Sequence, residues 1–86
     1  MIRILIADDH AVVREGLKRI VAETSDMEVV GEAASGHEAL DFAQKRECDL
    51  VLLDLAMPGK DGLDTLKELR AVRPGLPVLV LSVYPE

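Results

Sequence analysis

The sequence predicts an α/β fold in which one doubly wound parallel sheet is sandwiched by helices, and three observations carry that expectation. Four short apolar runs recur at regular distance along the 86 residues. Segments of helical period separate them, and turn-forming residues stand at the junctions, giving the pattern βαβαβαβ. Three of the four runs lack polar alternation, the habit of strands buried on both faces.

In chain order, the first run is Ile2-Arg3-Ile4-Leu5-Ile6-Ala7. It leads into Asp8-Asp9, either of which can cap a helix whose apolar positions Val13, Leu17, Ile20 and Val21 recur with helical spacing. Glu28-Val29-Val30-Gly31 reads as a short second strand. Ser35-Gly36 opens a second helix with Ala39, Leu40 and Ala43 at helical spacing, and Cys48 is expected to pack between that helix and the third strand. The third strand is Leu50-Val51-Leu52-Leu53. Met57-Pro58 shapes a loop, with Gly59 and Gly62 serving that loop and the start of a third helix opened by Asp61-Gly62. Leu63, Leu66 and Leu69 give this helix its period, Arg73-Pro74-Gly75 closes it, and Pro77 leads into Val78-Leu79-Val80-Leu81.

Length and composition bound the function. Eighty-six residues make one domain, spanning residues 1–86, with no room for a second. Hydrophobic residues are 49% and aromatics 2%, so the core must be aliphatic. Sixteen acidic against ten basic side chains leave a net charge of −6, which repels nucleic acid and anionic membranes. The single Cys48 forms no internal disulfide, and no Cys/His cluster has zinc spacing. The apolar Ile2–Ala7 run is too short for a membrane span or a leader, so a reducing cytoplasm is the expected compartment.

Two strand orders are common for doubly wound sheets, and in the flavodoxin-like one the order runs 2-1-3-4. Right-handed crossovers then put the first helix on one face and the other two on the opposite face. Strands 1 and 3 become neighbours about 4.8 Å apart, with the ligand crevice at their C-terminal ends. Asp8 and Asp9 after strand 1, Asp54 at the end of strand 3 and Ser82 at the end of strand 4 fall at that edge. Taken singly, an Asp pair before a helix reads as a cap and an Asp at a strand end as a turn residue. Three acids at one switch point point instead to a hard divalent cation such as Mg²⁺, held by oxygen ligands. His10 and His37, at helix starts, are expected to be solvated and without partners.

Three motifs lie in matching order and position: Ile4-Leu5-Ile6-Ala7-Asp8-Asp9-His10, Leu52-Leu53-Asp54-Leu55-Ala56-Met57-Pro58-Gly59-Lys60-Asp61-Gly62, and Val80-Leu81-Ser82-Val83. Together they resemble the receiver domain of two-component response regulators, a CheY-like fold. Ala7-Asp8-Asp9-His10, Val30-Gly31-Glu32-Ala33 and Leu81-Ser82-Val83-Tyr84 are similar to the NarL/LuxR-type subfamily in particular. The resemblance implies that Asp54 is the phosphoacceptor, taking a phosphoryl group from a sensor histidine kinase or a small acyl phosphate. It implies that Asp9 and Asp54 ligate Mg²⁺ directly, Asp8 acts through bound water, and the Ala56 carbonyl completes the protein ligands. Ser82 would contact the installed phosphoryl group. On this reading the chain catalyses only its own phosphorylation and dephosphorylation, and DNA is reached only through an output domain outside the chain.

The resemblance also implies a fifth strand and last two helices that this sequence does not contain, so the receiver is expected to be C-terminally incomplete. Self-association through the strand 4 edge or the helix 1 face is expected to follow. Two other readings compete: an interaction or dimerisation domain that is never phosphorylated, and a Mg²⁺-dependent aspartyl phosphohydrolase. The second is opposed by Ala56, which occupies the place of a second acid. A glycine-rich phosphate cradle is missing after strand 1, which removes a nucleotide-binding reading.

Overall fold

A computed structural model of the chain describes residues 1–57 and 62–81. Its elements are β1 (Ile2–Ala7), α1 (Ala11–Ala22), β2 (Met27–Ala33), α2 (Gly36–Lys45), β3 (Leu50–Asp54), α3 (Gly62–Val72) and β4 (Val78–Leu81). Pro58, Gly59, Lys60, Asp61, Ser82, Val83 and Tyr84, which the sequence reading also used, lie outside the described residues.

All strand pairs are parallel and the sheet order is β2-β1-β3-β4, the flavodoxin-like arrangement. Alternation along the two inner strands feeds two separate cores. Leu5 and Ala7 of β1 with Val51 and Leu53 of β3 join Ala39, Leu40 and Ala43 of α2, Leu69 of α3, and Cys48. On the opposite face Ile4, Ile6 and Leu52 meet Val21 and Leu17 of α1. Removing a side chain such as Leu5 or Leu53 wholly from water contributes about 1.5–3 kcal/mol each, so the continuous Val/Ile/Leu runs are what fix these strands at the centre. The outer strand β4 departs from that expectation: Leu79 is half exposed, because only one neighbour and part of one face cover it.

Three further differences have local causes. The second strand extends beyond the expected Glu28–Gly31, because its ladder to β1 continues to Ala33 across an irregularity. Ile4 pairs with Val29 and Leu5 with Gly31, so Val30 is an extra residue, a bulge of a kind uncommon in parallel pairs. Both Val30 and Gly31 consequently lie toward α2, and the Phe42 ring sits where a Cβ at 31 would be, so any larger residue there would have to displace that ring. Beyond the bulge Glu32 pairs with Ile6, and so turns toward α1. On α1, Val21 is buried and Leu17 partly so, whereas Val13 and Ile20 are exposed, because the helix meets the sheet along a narrower stripe than its apolar spacing allows. On α3 the inner face is Gly62, Thr65 and Leu69, at steps of three and four, which leaves Leu63 exposed.

The end of the sheet remote from the carboxylates is stapled by Arg3 and Asp49. Arg3 donates its main-chain N–H to Asp49 Oδ2 at 2.8 Å, Nε to the same oxygen at 3.1 Å and Nη2 to Oδ1 at 3.1 Å. The Asp49 main-chain N–H returns a bond to the Arg3 carbonyl at 2.7 Å. These bonds from Arg3 hold the Asp49 carboxyl down at about 2, below its ordinary value of 3.8. Because the folded value is the lower one, the pair stabilises the fold above about pH 4, and that contribution fades as pH falls toward 2. Asp49→Asn is therefore expected to lower the urea midpoint at pH 7 and to flatten the loss of stability between pH 4 and 2. An unchanged acid limb in urea titrations across that range would count against this assignment.

Candidate metal centre

The site is built by strand pairing. Ala7 lies opposite Leu53 in the β1–β3 ladder, so Asp8, one residue further, and Asp54 emerge side by side at the C-terminal edge. Asp8 is still laddered to β2, donating its N–H to the Ala33 carbonyl at 2.9 Å. Asp8, Asp9, His10 and Asp54 each offer a ligand atom, all within 4.8 Å of one another. The three predicted acids thus meet, with Asp8 and Asp54 buried and the Asp9 side chain a quarter exposed.

His10 belongs to this group, contrary to the expectation that it stands alone. Asp8 Oδ1 accepts the His10 main-chain N–H at 2.8 Å, an Asx turn, and the ring Nδ1 lies 3.0 Å from the same oxygen. Nδ1 is also 3.2 Å from Asp9 Oδ1. The hydrogen bond to Asp8, and then the charge of Asp9, raise the His10 pKa above its ordinary 6.5. The sequence signal available was an Asp followed two residues later by His, the spacing of an Asx turn. The same geometry overturns the expectation that Asp8 or Asp9 caps α1. The N-cap is His10, without a side-chain cap bond, because the Asp8 carboxylate is spent on the turn before the helix. On α2 the expected Ser35 cap is present, with Ser35 Oγ accepting the Glu38 N–H at 3.2 Å. His37 is exposed, as expected.

Whether these residues suit a cation is decided by what satisfies them. Asp9 Oδ1 is buried and receives no hydrogen bond from any described residue, since the Nδ1 contact is an ion-pair approach without bonding geometry. Three carboxylates this close repel one another, and His10 with the positive N-terminal end of α1 offsets only part of that. Carboxylate oxygens at one partly open edge are the donor set of a hard divalent cation, so the residues fit one.

The neighbouring turns are held firmly. The Ala56 N–H donates to Asp54 Oδ1 at 2.9 Å and sets that carboxylate's rotation. Gly62, the first residue of α3, is pressed against the Leu55 backbone so closely that a Cβ would strike it. Arg14 Nη1 donates to the Asp8 carbonyl at 2.6 Å, and its Nε to Glu32 Oε1 at 2.9 Å. Arg14 was not singled out from the sequence and Glu32 only within the Val30-Gly31-Glu32-Ala33 motif, since the two are eighteen residues apart with no motif in common. Ser82 lies outside the described residues.

Comparison with known proteins gives a consistent result. Residues 4–86 match the family described as the response regulator receiver domain. A transcriptional regulatory protein of Bacillus subtilis, YhcZ, is 46% identical over 84 residues, covering 98% of this chain and 39% of that protein. The nitrate/nitrite response regulator NarL of Escherichia coli is 42% identical over 80 residues, covering 93% of this chain and 37% of NarL. Among solved structures, RcsB of Salmonella enterica bound to the rprA promoter with the phosphomimetic BeF3⁻ superposes with a TM-score of 0.91 at 27% identity. That match covers 100% of this chain and 72% of the RcsB chain. The chain therefore spans well under half the length of the curated relatives it matches.

The crowding of charge yields a prediction. Asp9→Asn removes one repelling charge and replaces a bare buried oxygen with a group that can also donate. In chelator-containing buffer the variant is expected to gain about 1–2 kcal/mol of stability, and added divalent cation is expected to stabilise the parent but not the variant. Thermal melts with and without cation check both halves, and a variant less stable than the parent in chelator would refute the account.

Proposed function

The chain belongs to the response regulator receiver family, and from that membership we propose that it accepts a phosphoryl group on Asp54 from a sensor histidine kinase. The observation that carries the reading is the Asp54 carboxylate itself: buried, rotationally set by the Ala56 N–H, and joined by Asp8 and Asp9 at the open edge of the sheet. One Asp54 oxygen attacks the phosphorus of the kinase phosphohistidine, a P–O bond forms, and the P–N bond breaks as the imidazole leaves. The Ala56 N–H holds the carboxylate in line during that displacement. Asp9 and Asp54 would hold Mg²⁺ directly, Asp8 through water, and the Ala56 carbonyl would add a further oxygen. When bound, Mg²⁺ neutralises the charge that otherwise bars an anionic phosphoryl group from an acidic crevice. In this reading Ser82 contacts the transferred phosphoryl group.

The chain is accordingly a signalling module that acts catalytically only on its own phosphorylation and dephosphorylation. Promoter DNA in the RcsB complex is a property of that protein. For this chain, whose net charge is −6, we propose DNA contact only through an output domain outside it. A cytoplasmic location agrees with the unpaired, buried Cys48, and no helix among the described residues is long and apolar enough to cross a membrane. Exposed Val12, Val13 and Ile20 on α1, and exposed Leu79 on the outer strand β4, support self-association through one of these surfaces.

Incubation with acetyl phosphate and Mg²⁺ followed by intact-mass measurement tests the reaction. One phosphoryl adduct is expected on the parent and none on Asp54→Asn. Continuous phosphate release without an adduct would point to hydrolysis instead, and neither adduct nor release to an interaction domain. For the second proposal, sedimentation at rising concentration is expected to show dimers, and a monomer throughout would exclude association.

A further inference from the structure

We propose that Arg14, held in place by Glu32, is a positioning residue for the cation-binding Asp8-Asp9 turn, an inference that rests on the metal reading of the carboxylate site. The argument begins with the Asp8–Asp9 peptide group. Its carbonyl accepts Arg14 Nη1 at 2.6 Å, while the preceding peptide is fixed by the Asp8 N–H bond to Ala33 at 2.9 Å. A peptide group is planar, so a bond at the Asp8 carbonyl fixes the Asp9 N–H as well. It thereby restricts the two dihedral angles that aim the Asp9 side chain. Asp9 Oδ1 has no hydrogen bond among the described residues to do that work. Without Arg14, the direction of this oxygen would depend on the short turn and on the His10 Nδ1 ion-pair approach at 3.2 Å.

Arg14 is itself constrained. Its side chain is only 19% exposed, and Nε donates to Glu32 Oε1 at 2.9 Å. The other Glu32 oxygen accepts Lys18 Nζ at 3.0 Å, and Lys18 also pairs with Glu15 at 2.5 Å. The four charges cancel, so the group imposes geometry rather than a net field on the site. Glu32 reaches α1 only because the bulge at Val30 changes the facing of the strand beyond it. The planar guanidinium serves two acceptors at fixed angles, which a lysine cannot reproduce.

Mn²⁺ titration of the full chain by calorimetry, with amide shifts of Asp9 and His10 recorded beside it, tests the inference. Partners that orient metal ligands typically contribute 10-fold or more to affinity, so Arg14→Ala is expected to bind Mn²⁺ about tenfold more weakly at a temperature where it is fully folded. Arg14→Lys should recover part of the loss. Glu32→Gln should weaken binding in the same direction, and Lys18→Ala, which leaves the Asp8 carbonyl bond intact, should stay within about twofold of the parent. Parental Mn²⁺ affinity in folded Arg14→Ala would overturn the proposal, as would an equal loss in Lys18→Ala. If Arg14→Ala does not fold, parental affinity in both Arg14→Lys and Glu32→Gln overturns it. A parent chain that binds no Mn²⁺ overturns the metal reading beneath it, and the acetyl phosphate experiment separates that failure from this one.

Discussion

The parallel pairing of β1 with β3 is the constraint on which the rest of the molecule depends. Parallel strands finish at the same edge, so whatever follows two adjacent strands is brought together there. Here the register Ala7 to Leu53 delivers Asp8 and Asp54 to one place. The same pairing buries both strands on both faces, which obliges helices to cover the sheet on each side. It also creates an electrostatic problem, because buried carboxylates side by side disfavour the folded state. The N-terminus of α1 and the His10 ring offset part of that charge, and the oxygens left under-neutralised are the donor set that a divalent cation fits.

Stability and chemistry are accordingly placed at opposite ends of the strands. The C-terminal edge concentrates repulsion and a bare oxygen. The N-terminal edge concentrates attraction, with Arg3 and Asp49 joined by four hydrogen bonds between β1 and the start of β3. A second clamp lies nearby: Arg73 Nη1 donates to the Ala43 carbonyl at 3.2 Å and the Arg46 carbonyl at 3.4 Å, and Nη2 to that of Cys48 at 3.4 Å. These carbonyls include ones that the end of α2 cannot satisfy within itself. A site held under unfavourable charge is sustained by bonds remote from it, as in other folds where function and local stability oppose each other.

Much of this was legible in the sequence because it depends on periodicity and element order. Continuous apolar runs identified β1 and β3, the βα alternation implied the sheet order, and that order carried Asp8, Asp9 and Asp54 to one edge. The parts that escaped depend on single atoms or on counting between strands. Asp8 looks like a helix cap in the sequence, yet its carboxylate closes a turn with His10, and which bond forms is decided by one residue of displacement. Arg14 and Glu32 meet only through the strand's facing, which no local pattern reveals. Val13, Ile20 and Leu63 have the spacing of buried positions but remain exposed, since burial depends on how much surface a helix meets.

The bulge in β2 decouples the facing of the strand from a simple count of its residues. Side chains of a regular strand alternate between two layers, whereas here Val30 and Gly31 share one of them. Drawing the same residues into an unbulged ladder would carry Glu32 into the aliphatic layer under α2 and turn Ala33 toward α1. Deleting Val30, by contrast, would restore plain alternation and leave Glu32 opposite Ile6 and Ala33 opposite Ala7. The extra residue is absorbed where it falls, and the two halves of the molecule's chemistry stay in their own layers because of that local irregularity.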